Sequence, residues 1–296
     1  MIRLEGVSKR FGAIEALAPL DLDIRDGEWL GCFGRNGSGK TSLLRILVGL
    51  STPSSGRVLL QGKSPSAEDW RQLRRSLGFM PERVSMLESL TGERTLRYFA
   101  KLKGVSSAEV DPLLERVGLT HAAKRRLAGY SNGMLQRLNL AQALLGNPRL
   151  LVVDEPIEGL DAQGVREFFD ILQSLEGRTV VFSSHRLPVL SRFVHRICIL
   201  RQGKVVALGT EDELHGAMNL PVRIIVQPAP ESNGHLAAAF ARDDFVAVPR
   251  DDGRLVVQVS QREKLRFLAG LAALESSIDD VRIEEPSLEE VLLEAS

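Results

Sequence analysis

Long apolar runs are missing from this chain of 296 residues, and none approaches the ~20 residues that cross a bilayer. The opening Met1-Ile2-Arg3-Leu4-Glu5 lacks the tracts of a secretory signal, so the expectation is a soluble, cytosolic chain. Cysteine is scarce. Cys32 and Cys198 each lie in an apolar strand-like run, with no second Cys and no His at metal-ligand spacing, and read as two buried free thiols. Net charge is missing too: 38 Lys+Arg against 38 Asp+Glu leave no basic field to hold nucleic acid or a lipid surface. The balance conceals an asymmetry, because residues 222–296 carry 8 basic and 14 acidic side chains, which makes nucleic acid a poor partner for that end.

What is present is a glycine-rich stretch, Gly34-Arg35-Asn36-Gly37-Ser38-Gly39-Lys40-Thr41, that fits G-x-x-x-x-G-K-[ST]. Apolar Trp29 to Phe33 reads as a buried strand before it, and Ser42 to Leu50 as a helix after it. That context makes it a phosphate-binding loop. Glycines let successive N–H groups converge on phosphate oxygens, the helix N-terminus adds partial positive charge, Lys40 reaches the β/γ-phosphates and Thr41 is placed to ligate Mg2+.

Ahead of this loop, Ile2 to Val7 and Leu20 to Ile24 read as strands around the turn Phe11-Gly12, a β-rich entry. Phe11 either presents its face to an adenine ring or is an ordinary core aromatic. Arg57 to Gln61 and Leu77 to Met80 read as strands, and residues 88–146 switch to helical patterning. Within them Ser106 and Glu109 predict a capping box for a helix whose apolar face is Val110, Leu113, Leu114 and Val117 and which ends at Gly118. Leu150 to Val153 and Thr179 to His185 are apolar strands flanking a helix from Val165 to Leu175, and Ile197 to Leu200 with Val205 to Leu208 form a hairpin. Buried strands alternating with helices indicate an α/β fold with a parallel sheet covered on both faces, and ligands gather at the strand C-termini. The domain is expected to span 1–218. Beyond Asn219-Leu220-Pro221, residues 219–296 read βαββαβ, a ferredoxin-like α+β motif, followed by a helix from Ser287 to Glu294.

A phosphate loop needs a carboxylate to help hold Mg2+ and a base to activate water. Asp154, ending an apolar strand, suits the first role and the adjacent Glu155 the second. His185, ending another strand, could contact the γ-phosphate or orient Glu155. Tyr130-Ser131-Asn132-Gly133-Met134 precedes a helix from Leu135 to Leu145, so Ser131 and Gly133 offer a second helix N-terminus for an anion, remote from the phosphate loop of their own chain.

Taken with Asp154-Glu155-Pro156, Gly159-Leu160-Asp161 and Ser184-His185, this last stretch resembles the signature loop of the ATP-binding-cassette family, over nearly all of residues 1–215. The resemblance implies two copies of this chain closing head to tail over ATP and Mg2+. It puts Phe11 against adenine, wraps Gly34 to Thr41 and Ser42 around the phosphates, and brings Ser131 and Gly133 to the γ-phosphate from across the dimer. It makes Glu155 the general base and His185 the switch histidine, and gives Asp161 the coupling of the two sites. Asn132 and Met134 replace the family's usual Gly and Gln, and Glu82 stands where a Gln normally senses Mg2+ and the membrane partner; a carboxylate there can still ligate the ion.

A narrower resemblance rests on Pro81-Glu82-Arg83-Val84, Thr95 to Gly104, Gln136-Arg137-Leu138, Leu187-Pro188 and Leu220 to Arg223. These resemble the ATPases of copper-site maturation transporters that serve nitrous oxide reductase in denitrifying bacteria. That branch implies an integral membrane permease, attachment at the cytoplasmic face of the inner membrane and a periplasmic copper-handling subunit. The closing Pro286 to Val291 is similar to drug and polysaccharide exporters more widely. A soluble cassette acting on DNA or ribosomes fits less well, since one phosphate loop is present and the charge is balanced.

Overall fold

The computed structural model describes residues 2–82, 86–175, 177–218, 221–230, 232–242, 245–260 and 262–284. They fall into two compact units, Met1–Thr210 and Glu211–Ser296. Among the described residues no helix is long and apolar enough to cross a membrane.

Strands β1 (Ile2–Phe11) and β2 (Ile14–Ile24) form a hairpin around Gly12, extending the two short strands read from the sequence up to the turn itself. Strand β3 (Trp29–Phe33) leads through the glycine-rich loop into α1 (Lys40–Leu47). Next, β4 (Ser55–Leu60) pairs antiparallel with β1 and completes a three-stranded sheet, β2-β1-β4. Helix α2 (Ala67–Ser76) has no counterpart in the sequence reading. It starts at a capping box in which the Ser66 hydroxyl accepts from Asp69 N–H and the Asp69 carboxylate accepts from Ser66 N–H. With no buried residue of its own, it carries a weak apolar signal.

Strand β5 (Gly78–Met80) is followed by the helical part, α3 (Gly92–Lys103), α4 (Val110–Arg116) and α5 (Asn132–Leu144), joined by short 3-10 turns. The capping box expected at Ser106 and Glu109 does not form. Ser106 accepts instead from Ala108 N–H in a 3-10 turn, while the Glu109 carboxylate crosses to the N–H of Gly146 at 2.8 Å. Lys103, at the end of α3, donates to the carbonyls of Leu77 (3.0 Å) and Leu145 (2.5 Å), tying the ends of α3 and α5 to the entry of β5. Burial lowers the pKa of this ammonium, and Glu109 partly offsets the shift.

The chain then alternates β6 (Leu150–Asp154), α6 (Ala162–Gln173), β7 (Thr179–Ser184), the single turn α7 (Leu187–Leu190), β8 (Arg196–Arg201) and β9 (Lys204–Gly209). The sheet order is β5-β6-β7-β3-β8-β9, parallel except for the β8–β9 hairpin at its edge. Every residue of β7 is buried, as a strand covered on both faces requires. Phe169 of α6 meets Phe182 of β7 edge-on at 5.8 Å, and Phe182 meets Phe33 of β3 at 6.4 Å, so aromatic packing holds α6, β7 and β3 together. Register then does the positioning. Phe33 pairs with Ser184 and Asp154 with Ser183, so β3, β6 and β7 end side by side at one edge.

The same register brings Cys32 opposite Cys198, which the sequence separation concealed. Both are free and fully buried. A hydrogen bond with Cys198, together with burial, pushes the Cys32 thiol well above its usual pKa, so it stays protonated and unreactive.

The second unit comprises α8 (Glu211–Met218), β10 (Val222–Pro228), α9 (Asn233–Arg242), β11 (Ala247–Pro249), β12 (Leu255–Val259), α10 (Lys264–Ala272) and β13 (Ile278–Glu284). It begins at α8, ahead of the boundary read at Asn219-Leu220-Pro221, of which Asn219 and Leu220 lie outside the described residues. So does the expected helix from Ser287 to Glu294. From β10 onward the elements run βαββαβ, and the strands form an antiparallel sheet ordered β11-β12-β10-β13, the split βαβ arrangement. Its core centres on Phe267, whose ring lies 5.2 Å from Phe240 and 4.8 Å from Phe245. Phe267→Ala should lower the stability of this unit by about 3–5 kcal/mol through lost burial and a residual cavity. Denaturant unfolding followed by near-UV circular dichroism checks it.

Candidate functional site

The edge where β3, β6 and β7 end opens into a cavity of about 640 Å³. The loop Asn36 to Gly39 with Lys40, Thr41 and Ser42 forms its floor, and Phe11, Glu82, Glu155 and His185 line the rest. Sequence reasoning placed all of these in one site. It gave no site role to Ala16, Gln136 or Glu158, which line the same cavity. Ala16 and Glu158 belong to no motif, and Gln136 entered only through the narrower resemblance, with no role at the cavity.

The loop geometry follows from its glycines. Gly39, the N-cap of α1, has φ 107°, and an added Cβ would come 2.6 Å from the Ala16 carbonyl oxygen. Gly34 lies so close to the Leu200 carbonyl that a Cβ would stand 2.3 Å from it. Neither position has room for a side chain. Among the described residues no side chain caps α1, so its first N–H groups are left for a ligand. The buried Ser38 hydroxyl has no hydrogen-bond partner among the described residues. An uncapped helix start, an orphaned hydroxyl and a lysine together fit a polyphosphate.

Lys40 is 5% exposed and Glu155 7%. The Lys40 ammonium donates to the carbonyls of Gly34 (2.7 Å) and Arg35 (3.3 Å). It also lies 3.1 Å from Glu155 Oε1, out of line for a hydrogen bond, so that contact is Coulombic. Glu155 Oε2 faces His185 Nδ1 at 3.1 Å, and His185 Nε2 lies 3.8 Å from Glu158 Oε2. The carboxylate of Glu155 is thus held between the two groups best placed to meet phosphate. Asp154 stands behind the loop, 3% exposed. Its Oδ1 accepts from Thr41 (3.3 Å) and from Ser183 (2.5 Å). A hydroxyl and a buried carboxylate are hard oxygen donors, a set that suits Mg2+. Glu155, Glu158 and His185 also gather ligand atoms within 4.8 Å of one another, but an imidazole is a poor Mg2+ ligand.

Phe11 is not a core aromatic. It is 53% exposed at the cavity, with the Lys9 ammonium 4.9 Å from its ring centroid. Ser131, Gly133 and Asp161 do not line the cavity. Ser131 is the N-cap of α5, which begins three residues earlier than the sequence suggested, and its hydroxyl accepts from Met134 N–H at 3.3 Å. Asp161 caps α6 by accepting from Gly164 N–H at 2.8 Å. The two loops adjoin each other: a Cβ on Gly133 would lie 3.6 Å from the Leu160 side chain, and one on Gly159 would lie 3.6 Å from Asn132.

Comparison with known proteins agrees with this geometry. The ABC transporter family profile matches residues 17–158. An uncharacterized ABC transporter ATP-binding protein of Bacillus subtilis, YdbJ, is 31% identical over 300 residues, covering 100% of this chain and 95% of that protein. The daunorubicin resistance ATP-binding protein DrrA3 of Streptomyces coeruleorubidus is 33% identical, covering 99% of this chain and 94% of its own length. Two dimeric structures of the cassette MJ0796, one in a post-hydrolysis state with ADP and Pi, each superpose with a TM-score of 0.65 at 27% identity, over 71% of this chain and 98% of theirs. With the loop, the two carboxylates and the strand-end histidine gathered at one sheet edge, the chain belongs to the ABC transporter family as an ATP-binding subunit that hydrolyses ATP.

Proposed function

We propose that this subunit works as half of a head-to-tail pair. ATP bound by the phosphate loop of one copy is completed by Ser131 and Gly133 of the other, and the pair drives an integral membrane permease of the exporter class from the cytoplasmic face of the inner membrane. The observation that carries the reading is that Ser131 and Gly133 sit at an exposed helix start outside their own chain's cavity, beside Gly159 and Leu160. Phe11 stacks on adenine. Lys40 and the N–H groups of the loop hold the β- and γ-phosphates, and Thr41 and Asp154, with Glu82 at the rim, hold Mg2+. That ion, when bound, offsets charge on the phosphate oxygens. Glu155 takes a proton from water as its oxygen bonds to the γ-phosphorus. The bond to the β–γ bridging oxygen breaks and ADP leaves, with His185 and Lys40 on the departing charge. Asp161, next to the cross-dimer contact, couples the two sites, and residues 219–296 serve assembly.

Ser131→Arg should leave nucleotide binding intact and suppress hydrolysis by at least about tenfold, since a bulky cation stands where the partner's phosphate docks. Mixing this variant with Lys40→Ala gives a dimer with one intact composite site, and recovery of ATPase activity in the mixture over either variant alone tests head-to-tail sharing.

Two cargo readings follow from separate observations. Full-length similarity to a daunorubicin resistance protein favours export of a drug-like molecule. The segments from Pro81, Thr95, Gln136 and Leu187 favour the copper-site maturation transporter of nitrous oxide reductase, with a periplasmic copper-handling subunit beyond the permease. Purifying the complex from membranes and identifying its other subunits separates the two.

A further inference from the structure

Ser183 belongs to no motif, yet it occupies the point where β6 and β7 deliver the two carboxylates. It is fully buried and in register with Asp154 on β6. Its hydroxyl donates to Asp154 Oδ1 at 2.5 Å and accepts the backbone N–H of Glu155 at 3.0 Å. A hydroxyl can do both, because it offers one proton and two lone pairs. Alanine or valine there would leave a buried carboxylate short of a donor and a buried N–H without an acceptor.

The second of these bonds is the more informative. Glu155 has φ 47°, in the left-handed region that residues other than glycine rarely adopt. This conformation turns its side chain toward Lys40 and His185, and the Ser183 hydroxyl holds its N–H in place. The first bond fixes Asp154. Its Oδ1 is taken by Ser183 and Thr41, while Oδ2 has no hydrogen-bond partner among the described residues. When the Thr41 oxygen turns to a cation, Ser183 is the donor that still orients the carboxylate.

We propose that Ser183 is the positioning residue for both carboxylates of the ATPase site, setting the plane of Asp154 for the divalent cation and the backbone twist of Glu155 for water activation. This rests on the roles given to Asp154 and Glu155 above.

The test uses the full chain with Ser183→Thr and Ser183→Val, which share a shape and differ in the hydroxyl, beside Ser183→Ala. Mn2+ binding to the ATP-loaded protein is followed by electron paramagnetic resonance, ATP affinity is measured in EDTA, and the cation dependence of hydrolysis is recorded. Ser183→Val and Ser183→Ala should weaken Mn2+ binding and kcat each by about tenfold or more, as loss of a hydrogen-bond partner behind a metal ligand does. Cation-free ATP affinity should stay within about twofold, and Ser183→Thr should restore both properties relative to Ser183→Val. Equal Mn2+ affinity in the Thr and Val variants overturns the proposal, as does a parallel loss of cation-free ATP affinity. Asp154→Ala run alongside separates the two layers. If it too leaves Mn2+ binding unchanged, the assignment of Asp154 fails; if it abolishes binding while Ser183→Val does not alter it, Ser183 alone is dismissed.

Discussion

Glu155→Gln is expected to bind ATP at least as tightly as the parent chain while hydrolysing it about 10²- to 10⁴-fold more slowly, the usual worth of a positioned general base. Glutamine keeps the volume of glutamate and tolerates the same backbone twist, so the N–H to Ser183 Oγ survives. What it loses is the ability to take a proton from water. It also removes a negative charge from the place where the γ-phosphate arrives, which strengthens ground-state binding. The variant should therefore accumulate as an ATP-bound dimer on size-exclusion chromatography with multi-angle scattering. Hydrolysis at the parental rate would remove Glu155 from the role.

Lys40→Ala should raise the Kd for ATP by about 100-fold or more, since charge-assisted hydrogen bonds to phosphate contribute about 1.5–3 kcal/mol each. A second effect comes from the empty protein. With the ammonium gone from 3.1 Å, Glu155 becomes a buried carboxylate whose remaining facing group is His185. Breaking a buried pair from one side costs about 3–5 kcal/mol in general, and Tm should fall accordingly. The double variant Lys40→Ala/Glu155→Gln separates the two effects: it should regain much of the lost Tm, while its ATP affinity stays far below that of Glu155→Gln alone. Titration calorimetry and differential scanning calorimetry on the four proteins close the cycle. Near-parental ATP affinity in Lys40→Ala would sink the phosphate-loop reading.

The site was legible in the sequence where chemistry is carried by contiguous residues. Gly34 to Thr41 demands a strand before it and a helix after it, and Asp154-Glu155 and Ser184-His185 each close an apolar run, so parallel pairing alone brings them together. Phe11 was left open because the sequence cannot say whether a strand-end aromatic points inward, and its exposure at the cavity decides that. Ser183 and Glu158 were not legible, because their partners lie on other elements or across a turn. Helix α2 was missed for a different reason. Ala67–Ser76 buries no residue fully and offers little apolar content beyond Trp70 and Leu73, which pack against the core, and the capping box that forms is at Ser66 and Asp69 while the similar pattern at Ser106 and Glu109 forms none. There Glu109 had a better use, holding the N–H of Gly146. Local pattern names the candidates for a cap; the fold chooses among them.

The bond set of Lys103 bears on how force moves through the protein. One ammonium fastens the ends of α3 and α5 to the first residue before β5, so the helical part has a pivot there and not merely a neighbour. Helix α3 is 12 residues long, a lever arm of about 18 Å at 1.5 Å per residue. From Leu77 the chain reaches the cavity at Glu82 through the three-residue strand β5, a span of at most roughly 18 Å. Lys103 thus ties the end of a 12-residue helix and the entry of the strand that runs to the cavity rim to one charged group, so substituting it would loosen both at once.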